Sequence, residues 1–275
     1  MKKVFFPLIT LFFIFCFLEI GARFVFFNES LNLRVRSDHS SYRRIQWAKT
    51  RDNPESTLIN WLHDFDPDLG WKYKKNLKNV DFYENKHVST NREGYRNQFE
   101  FSTKHDKITF ILGDSFTFGD EVNDNETFSY LLNENYPNKK FYNLGVSSYG
   151  YDQALLTLQK YIGLYRPKMV MLAFNFTDLE RALLSFHDFS KPYFTIDDQG
   201  ELMLHKEHLR TPKETLEGHP YKSFLIDLIK ILYWRHHWGN EEYWKNLKTL
   251  NEKIISKISD ISKRNGHVGQ QYSFS

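Results

Sequence analysis

Between positions 107 and 174 the sequence alternates short apolar runs with segments of helical periodicity, and no other stretch restricts the fold as much. Residues 108–112 (ITFIL), 140–144 and 168–174 (KMVMLAF) read as three strands, the last apolar enough to be a fully buried one. Residues 126–136 read as a helix with Asp124 or Asn125 available as its cap. A second helix over 152–165 places Ala154, Leu155, Leu158, Tyr161, Ile162 and Tyr165 on one face and is stopped by Arg166-Pro167. The order βαβαβ predicts an α/β fold, a parallel sheet wrapped by helices with right-handed crossovers. With 275 residues the chain is long enough for one such domain plus attachments.

The first of these strands ends in Gly113-Asp114-Ser115 and passes through Phe116 to Gly119 toward a helix. Ligands of open α/β sheets sit in the crevice at the carboxyl ends of the strands, so Ser115 is the candidate nucleophile. The bland alternative is that Ser115 only caps a helix. Acyl transfer by serine needs a nucleophile, a base and donors for the developing oxyanion. The N–H of Ser115, the N–H of Gly145 at the next strand end and the side-chain amide of Asn175 at the one after are the candidate donors. A glycine lets backbone approach a substrate without a Cβ in the way, and an Asn amide donates without charge. Asp114 is a candidate supporting residue.

The segments GDSFTFG at 113–119, NLGVSSYGYDQ at 143–153 and FNFTD at 174–178 resemble the SGNH or GDSL family of serine esterases and acyltransferases. The upstream turns DPDLGW (66–71) and NREGYR (91–96) look like the lead-in of its membrane-anchored bacterial members. The resemblance covers roughly residues 61–186. It implies a three-layer flavodoxin-like fold with a parallel sheet, no metal or organic cofactor, Ser115 as nucleophile, and Gly145 and an Asn as oxyanion donors. The implied substrate is an ester on a glycan or a lipid-like molecule, often an O-acetyl group of a cell-wall polymer. The third segment reads Ala173-Phe174-Asn175-Phe176-Thr177-Asp178, which leaves Asn175 or, in another register, Asp178 at the family's Asn position.

The family's base comes in an Asp-x-x-His near the C-terminus, and none of the 11 histidines here has Asp three residues before it. The catalytic His and Asp are therefore unassigned; His205, His208, His219, His236 and His237 are the candidates for folding back, and His267 has Arg264 where the Asp would stand. Residues 241–264 read as a long amphipathic helix with Leu247, Leu250, Ile254, Ile258 and Ile261 in one stripe, stopped by Asn265-Gly266. A core strand is expected next, but the polar tail to Ser275 does not read as one. The expectation is a domain truncated or frameshifted before its last strand. An inactive enzyme, a glycan-binding or scaffold domain of the same fold, and a non-functional fragment remain alternatives.

At the other end, Lys2 and Lys3 precede an apolar run that continues, with few interruptions, through Phe27. That length suits a transmembrane helix with its N-terminus in the cytoplasm. A cleaved signal peptide is the rival, though no small-x-small cleavage site follows cleanly. Either way the remainder is expected to be extracytoplasmic. Phe15 before the only cysteine, Cys16, argues against a lipoprotein site, and a single cysteine excludes an internal disulfide. The basic stretch 33–51 reads as a solvated linker rather than a headgroup-binding patch. The segmentation is then an anchor at 1–27, a juxtamembrane linker at 28–60, a small β-rich lead-in at 61–104 and the α/β domain, expected incomplete, at 105–275.

A net charge of +3 from 37 basic and 34 acidic residues is too balanced to make nucleic acid a partner. Residues 178–186 read as a short helical piece, 193–204 as a hairpin turning at Asp197-Asp198-Gln199-Gly200, and 205–219 as polar loop. The hairpin turn lacks the terminal Glu of a calcium loop. The segment 224–238 is apolar almost all round and reads as buried or capping a groove, with His236-His237 between Trp234 and Trp238 as an aromatic packing face rather than a metal site.

Overall fold

The computed structural model describes residues 2–35, 39–50, 62–187, 189–217, 223–237 and 239–264. Two compact units divide the chain, one of Met1–Trp61 with Arg210–Trp244 and one of Leu62–Leu209 with Lys245–Ser275. The expected helix stop at Asn265-Gly266, the tail with His267, and His219 lie outside the described residues.

The second unit opens with two antiparallel pairs, β1 (His63–Asp66) with β2 (Gly70–Tyr73) and β3 (Val80–Asp81) with β4 (His87–Val88). Its centre is a parallel sheet of β5 (Ile108–Leu112), β6 (Lys140–Asn143) and β7 (Met169–Leu172) in the order β6-β5-β7. All five residues of β5 are buried, as expected of a strand with neighbours on both edges. Strand β7 departs from the expected full burial. Met169, Met171 and Leu172 are half-buried, because among the described residues β7 is the edge of the sheet. An antiparallel hairpin of β8 (Tyr193–Ile196) and β9 (Leu202–His205) follows, turning at Asp197 with Gly200 at φ +81°.

One apolar core joins Phe110 and Leu112 of β5, Tyr142 of β6, Val170 of β7, Leu155, Leu158 and Ile162 of the Tyr151–Tyr165 helix, and Leu250, Ile254 and Ile258 of the Glu241–Arg264 helix. The stripes seen in the sequence are thus the buried faces. Two boundaries move. The helix expected from 126 is Phe128–Asn135, because a 3₁₀ turn at Asp124–Glu126 precedes it and Thr127 Oγ1, not Asp124 or Asn125, accepts from Tyr130 N at 3.2 Å. Within the expected loop 205–219, Pro212–Glu217 is helical, with Pro212 at its first position and Thr211 and Glu214 in a reciprocal cap (2.8 and 3.1 Å).

The first unit is helical in its described part. Lys2–Phe27 is one helix, and its Pro7–Phe27 portion, 21 residues of mean hydropathy 2.1, is long and apolar enough to cross a membrane. The stretch read as a solvated linker instead forms helices at Glu29–Val35 and His39–Thr50. Ile45 and Ala48, three positions apart, give the latter an apolar face that packs with Ala22, Phe26, Phe224 and Ile231. Three apolar side chains amid the charges (Ile45, Trp47, Ala48) are buried, too few for the sequence pattern to stand out.

Candidate active site

Strand β5 ends at Leu112, and the chain turns at once through Gly113 into a four-residue helix, Ser115–Phe118. Gly113 is needed because a Cβ there would overlap Thr117 Oγ1 and lie 3.1 Å from Ala173 Cβ. Asp114, not Ser115, caps the helix, its Oδ1 accepting from Phe116 N at 3.0 Å. Ser115 is the first helical residue, and its carbonyl accepts from Gly119 N at 2.7 Å, with Gly119 at φ +89° ending the turn.

The other Asp114 oxygen joins two strand ends. Its Oδ2 accepts from Asn175 Nδ2 at 2.9 Å and from Arg181 Nη1 at 3.2 Å. Asn175 caps the Phe176–Arg181 helix through its Oδ1, which accepts from Thr177 N at 3.1 Å. Its backbone is gripped by Tyr151, whose hydroxyl accepts from Asn175 N and donates to Asn175 O. Asp114 and Asn175 therefore meet, by direct contact, at the ends of adjacent strands. Gly145 lies against the Ser115 helix, since a Cβ there would stand 2.6 Å from Phe118 N, and its N–H donates to Asn143 Oδ1 at 2.9 Å.

Three side chains that carried no role in the sequence reading organise this region. Asn143 is buried and donates to Thr117 O at 2.7 Å and Ser129 Oγ at 3.1 Å, joining β6 to the Ser115 helix. Arg181 Nη1 also reaches Asp178 Oδ1 at 2.7 Å and Tyr149 O at 3.0 Å. Asp178 is buried and hydrogen-bonded to Asp114; burial first, then the charge of Asp114, pushes its carboxyl up to about 9 against the pull of Arg181. Asp178 thus carries a proton at neutral pH. Arg96, from the NREGYR turn, is buried under the loop that follows Ser115 and donates to Asp124 Oδ1 (2.7 Å), Val122 O (2.8 Å), His87 O (2.8 Å) and Gly119 O. The turn is built by Asn91 Oδ1, which accepts from Glu93 N and Tyr95 N, and by Gly94 at φ +85°. Only the Asn91-x-x-Gly94 turn beside it hinted at Arg96.

A shallow cleft of about 410 Å³ is lined by Ser115, Phe116, Asp120, Glu121, Val122 and Phe128 among others. Ser115 is partly exposed there, and Phe116 and Phe128 are exposed beside it. Asp120 Oδ1 accepts from Ser147 Oγ at 2.5 Å, and Ser147 Oγ in turn takes a hydrogen bond from Tyr73 at 2.6 Å. The DPDLGW turn adds Trp71 Nε1 to Ser147 O at 3.3 Å. No described histidine lines the cleft. His205 Nε2 pairs with Thr195 Oγ1 at 2.7 Å, His208 Nε2 with Lys191 O at 2.9 Å, and His236 lies in the Phe224–His237 helix of the other unit. Among the described residues no group of three or more His, Cys, Asp or Glu is placed to hold a metal.

The fold and this serine define a class in the coarse sense, an α/β unit with a parallel sheet whose central strand delivers a serine at its carboxyl end. No family model matches the chain, and no curated protein matches it. Among solved structures it is similar to one titled "Crystal Structure of TesA", at 9% identity over 59% of this chain and 77% of that one, with a TM-score of 0.28. A likeness of that strength carries no argument.

Proposed function

We propose that the chain is a membrane-anchored, extracytoplasmic serine ester hydrolase or O-acyltransferase of SGNH type, with Ser115 as its nucleophile and an ester of a glycan or lipid-like molecule as its substrate. One observation carries this reading. Ser115 begins the helix after the central strand, and Asp114 beside it is tied to Asn175 past the neighbouring strand and to Arg181 at the end of the helix that Asn175 caps. In the attack, Ser115 Oγ would bond to the acyl carbon, its proton would pass to a base, and the alcohol would leave, to be replaced by water or an acceptor hydroxyl. Ser115 N–H and the second hydrogen of Asn175 Nδ2 are the donors suited to the oxyanion, with Gly145 N–H joining them if it leaves Asn143. Exposed Phe116 and Phe128 suit an apolar acyl portion. The three-layer flavodoxin-like architecture, the anchor at 1–27 and the extracytoplasmic placement of the remainder belong to the same proposal.

The test is covalent labelling of the full chain in detergent by an activated fluorophosphonate, with Ser115→Ala as control. An adduct on Ser115 supports the enzyme. Its absence in protein whose circular dichroism shows a folded state rejects it. A second reading, a non-catalytic glycan-binding domain of the same fold, is favoured by the cleft lining, which offers carboxylates and aromatics but no described histidine. Polysaccharide binding that survives Ser115→Ala would support that reading.

A further inference from the structure

Glu19 sits inside the apolar Pro7–Phe27 helix, where a carboxylate needs a strong reason to stand. Its reason is the Phe224–His237 helix of the same unit. Glu19 accepts from Ser223 Oγ at 2.6 Å, Phe224 N at 2.8 Å and Leu225 N at 3.0 Å. Two free N–H groups of the helix's first turn are thereby satisfied by a side chain from another helix, with the positive end of the helix dipole on the carboxylate. Phe224 packs edge-on against Phe26 (5.3 Å) and lies under Arg23 (5.1 Å), so the start of this helix is held along the 19–26 face. At its other end Arg235 donates to Arg34 O. The helix therefore runs beside the N-terminal one in the same direction, from the level of Glu19 to that of Arg34.

Glu19 is eight residues before Phe27, about 12 Å along the axis of a span that is about 30 Å long. We propose that the Phe224–His237 helix is a second membrane element. It starts inside the hydrocarbon layer, is anchored there by Glu19, and presents Ile229, Leu232 and Tyr233 to lipid acyl chains. These three stand at i, i+3 and i+4 and are 57, 44 and 62% exposed, an apolar strip on the helix surface. Arg235, about 16 Å along the helix from Phe224, falls at the headgroup level, and the long side chain of Lys230, about 9 Å along, extends toward the same phosphates. The occupant is the bilayer itself. The inference rests on the reading of Pro7–Phe27 as a span.

The test uses the full chain in phosphatidylcholine–phosphatidylglycerol vesicles, with Cys16→Ser and single cysteines carrying an environment-sensitive fluorophore at Ile229, Leu232, Phe13 or Glu214. Nitroxide-bearing lipids and aqueous iodide are the quenchers. Labels at Ile229 and Leu232 are expected to be quenched by lipid nitroxide and shielded from iodide at least fivefold relative to Glu214. Iodide quenching of both at the Glu214 level, with Phe13 shielded, overturns the proposal alone; Phe13 exposed to iodide as well would remove the span reading beneath it. Glu19→Ala is expected to raise iodide access at Ile229 while leaving Phe13 shielded. Unchanged access would show that Glu19 is not the anchor.

Discussion

Replacing Asp178 by Asn should abolish the pH dependence that this carboxyl imposes on the sheet unit. Asp178 is buried, and its folded-state value of about 9 lies far above the ordinary 3.8. A carboxyl raised on folding favours the folded state fully below its unfolded value, and that contribution is lost as pH climbs from about 4 toward 9. The slope for one proton is about 1.4 kcal/mol per pH unit, so about 4 kcal/mol of stability disappears between pH 5 and pH 8. Asn keeps an oxygen for Arg181 Nη1, which now sits 2.7 Å from Asp178 Oδ1, and offers Asp114 an N–H in place of the carboxyl O–H. The variant therefore imitates the protonated form at every pH. The assay is the urea dependence of hydrogen exchange at the β5 amides, whose opening reports the stability of the sheet, on full chain in detergent at pH 5, 6.5 and 8. The variant should gain on the wild type by about 4 kcal/mol across that range, other titrations cancelling in the difference. A difference flat to within about 1 kcal/mol, less than one proton contributes over a single pH unit, would refute the reasoning.

Two further substitutions test the scaffold around Ser115. Arg96→Met removes the donors that hold Gly119, Val122 and Asp124, leaving half-buried acceptors without their partner; a loss of about 1–3 kcal/mol is expected, with the 119–124 amides losing exchange protection first. Lys191→Met strands Asp152, its fully buried partner, and frees the carbonyls of Arg181 and Leu184 that Lys191 also holds. Burial lowers the Lys191 ammonium and raises the Asp152 carboxyl, so the single change should cost about 3–5 kcal/mol and Asp152→Asn in the same chain should restore part of it, read from urea midpoints. A double variant no more stable than the single one would mean that the lost charge pairing is not the cause.

What could be read in advance was whatever repeats with a period. Strands β5, β6 and β7, the Tyr151–Tyr165 helix and the stripe Leu247 to Ile261 were legible because alternating apolar runs and helical stripes are local signals. The start of the Phe128–Asn135 helix was missed because Thr127 competes with Asp124 and Asn125 for one role, and only backbone geometry chooses between them. The helix at His39–Thr50 was missed because Ile45 and Ala48 gain their meaning from Ala22 and Phe26.

The sequence by itself determined the order of strands and helices between 107 and 174, the serine at the end of the central strand and the apolar N-terminal helix, since each depends on neighbours a few residues apart. Tertiary structure alone decided the partnerships across long separations. Asp114 meets Asn175 and Arg181, Arg96 clamps the loop after Ser115, and Glu19 caps a helix about two hundred positions away. The physical reason is common to all three. A buried polar group must find a partner wherever the fold places one, and no period in the sequence records where that is.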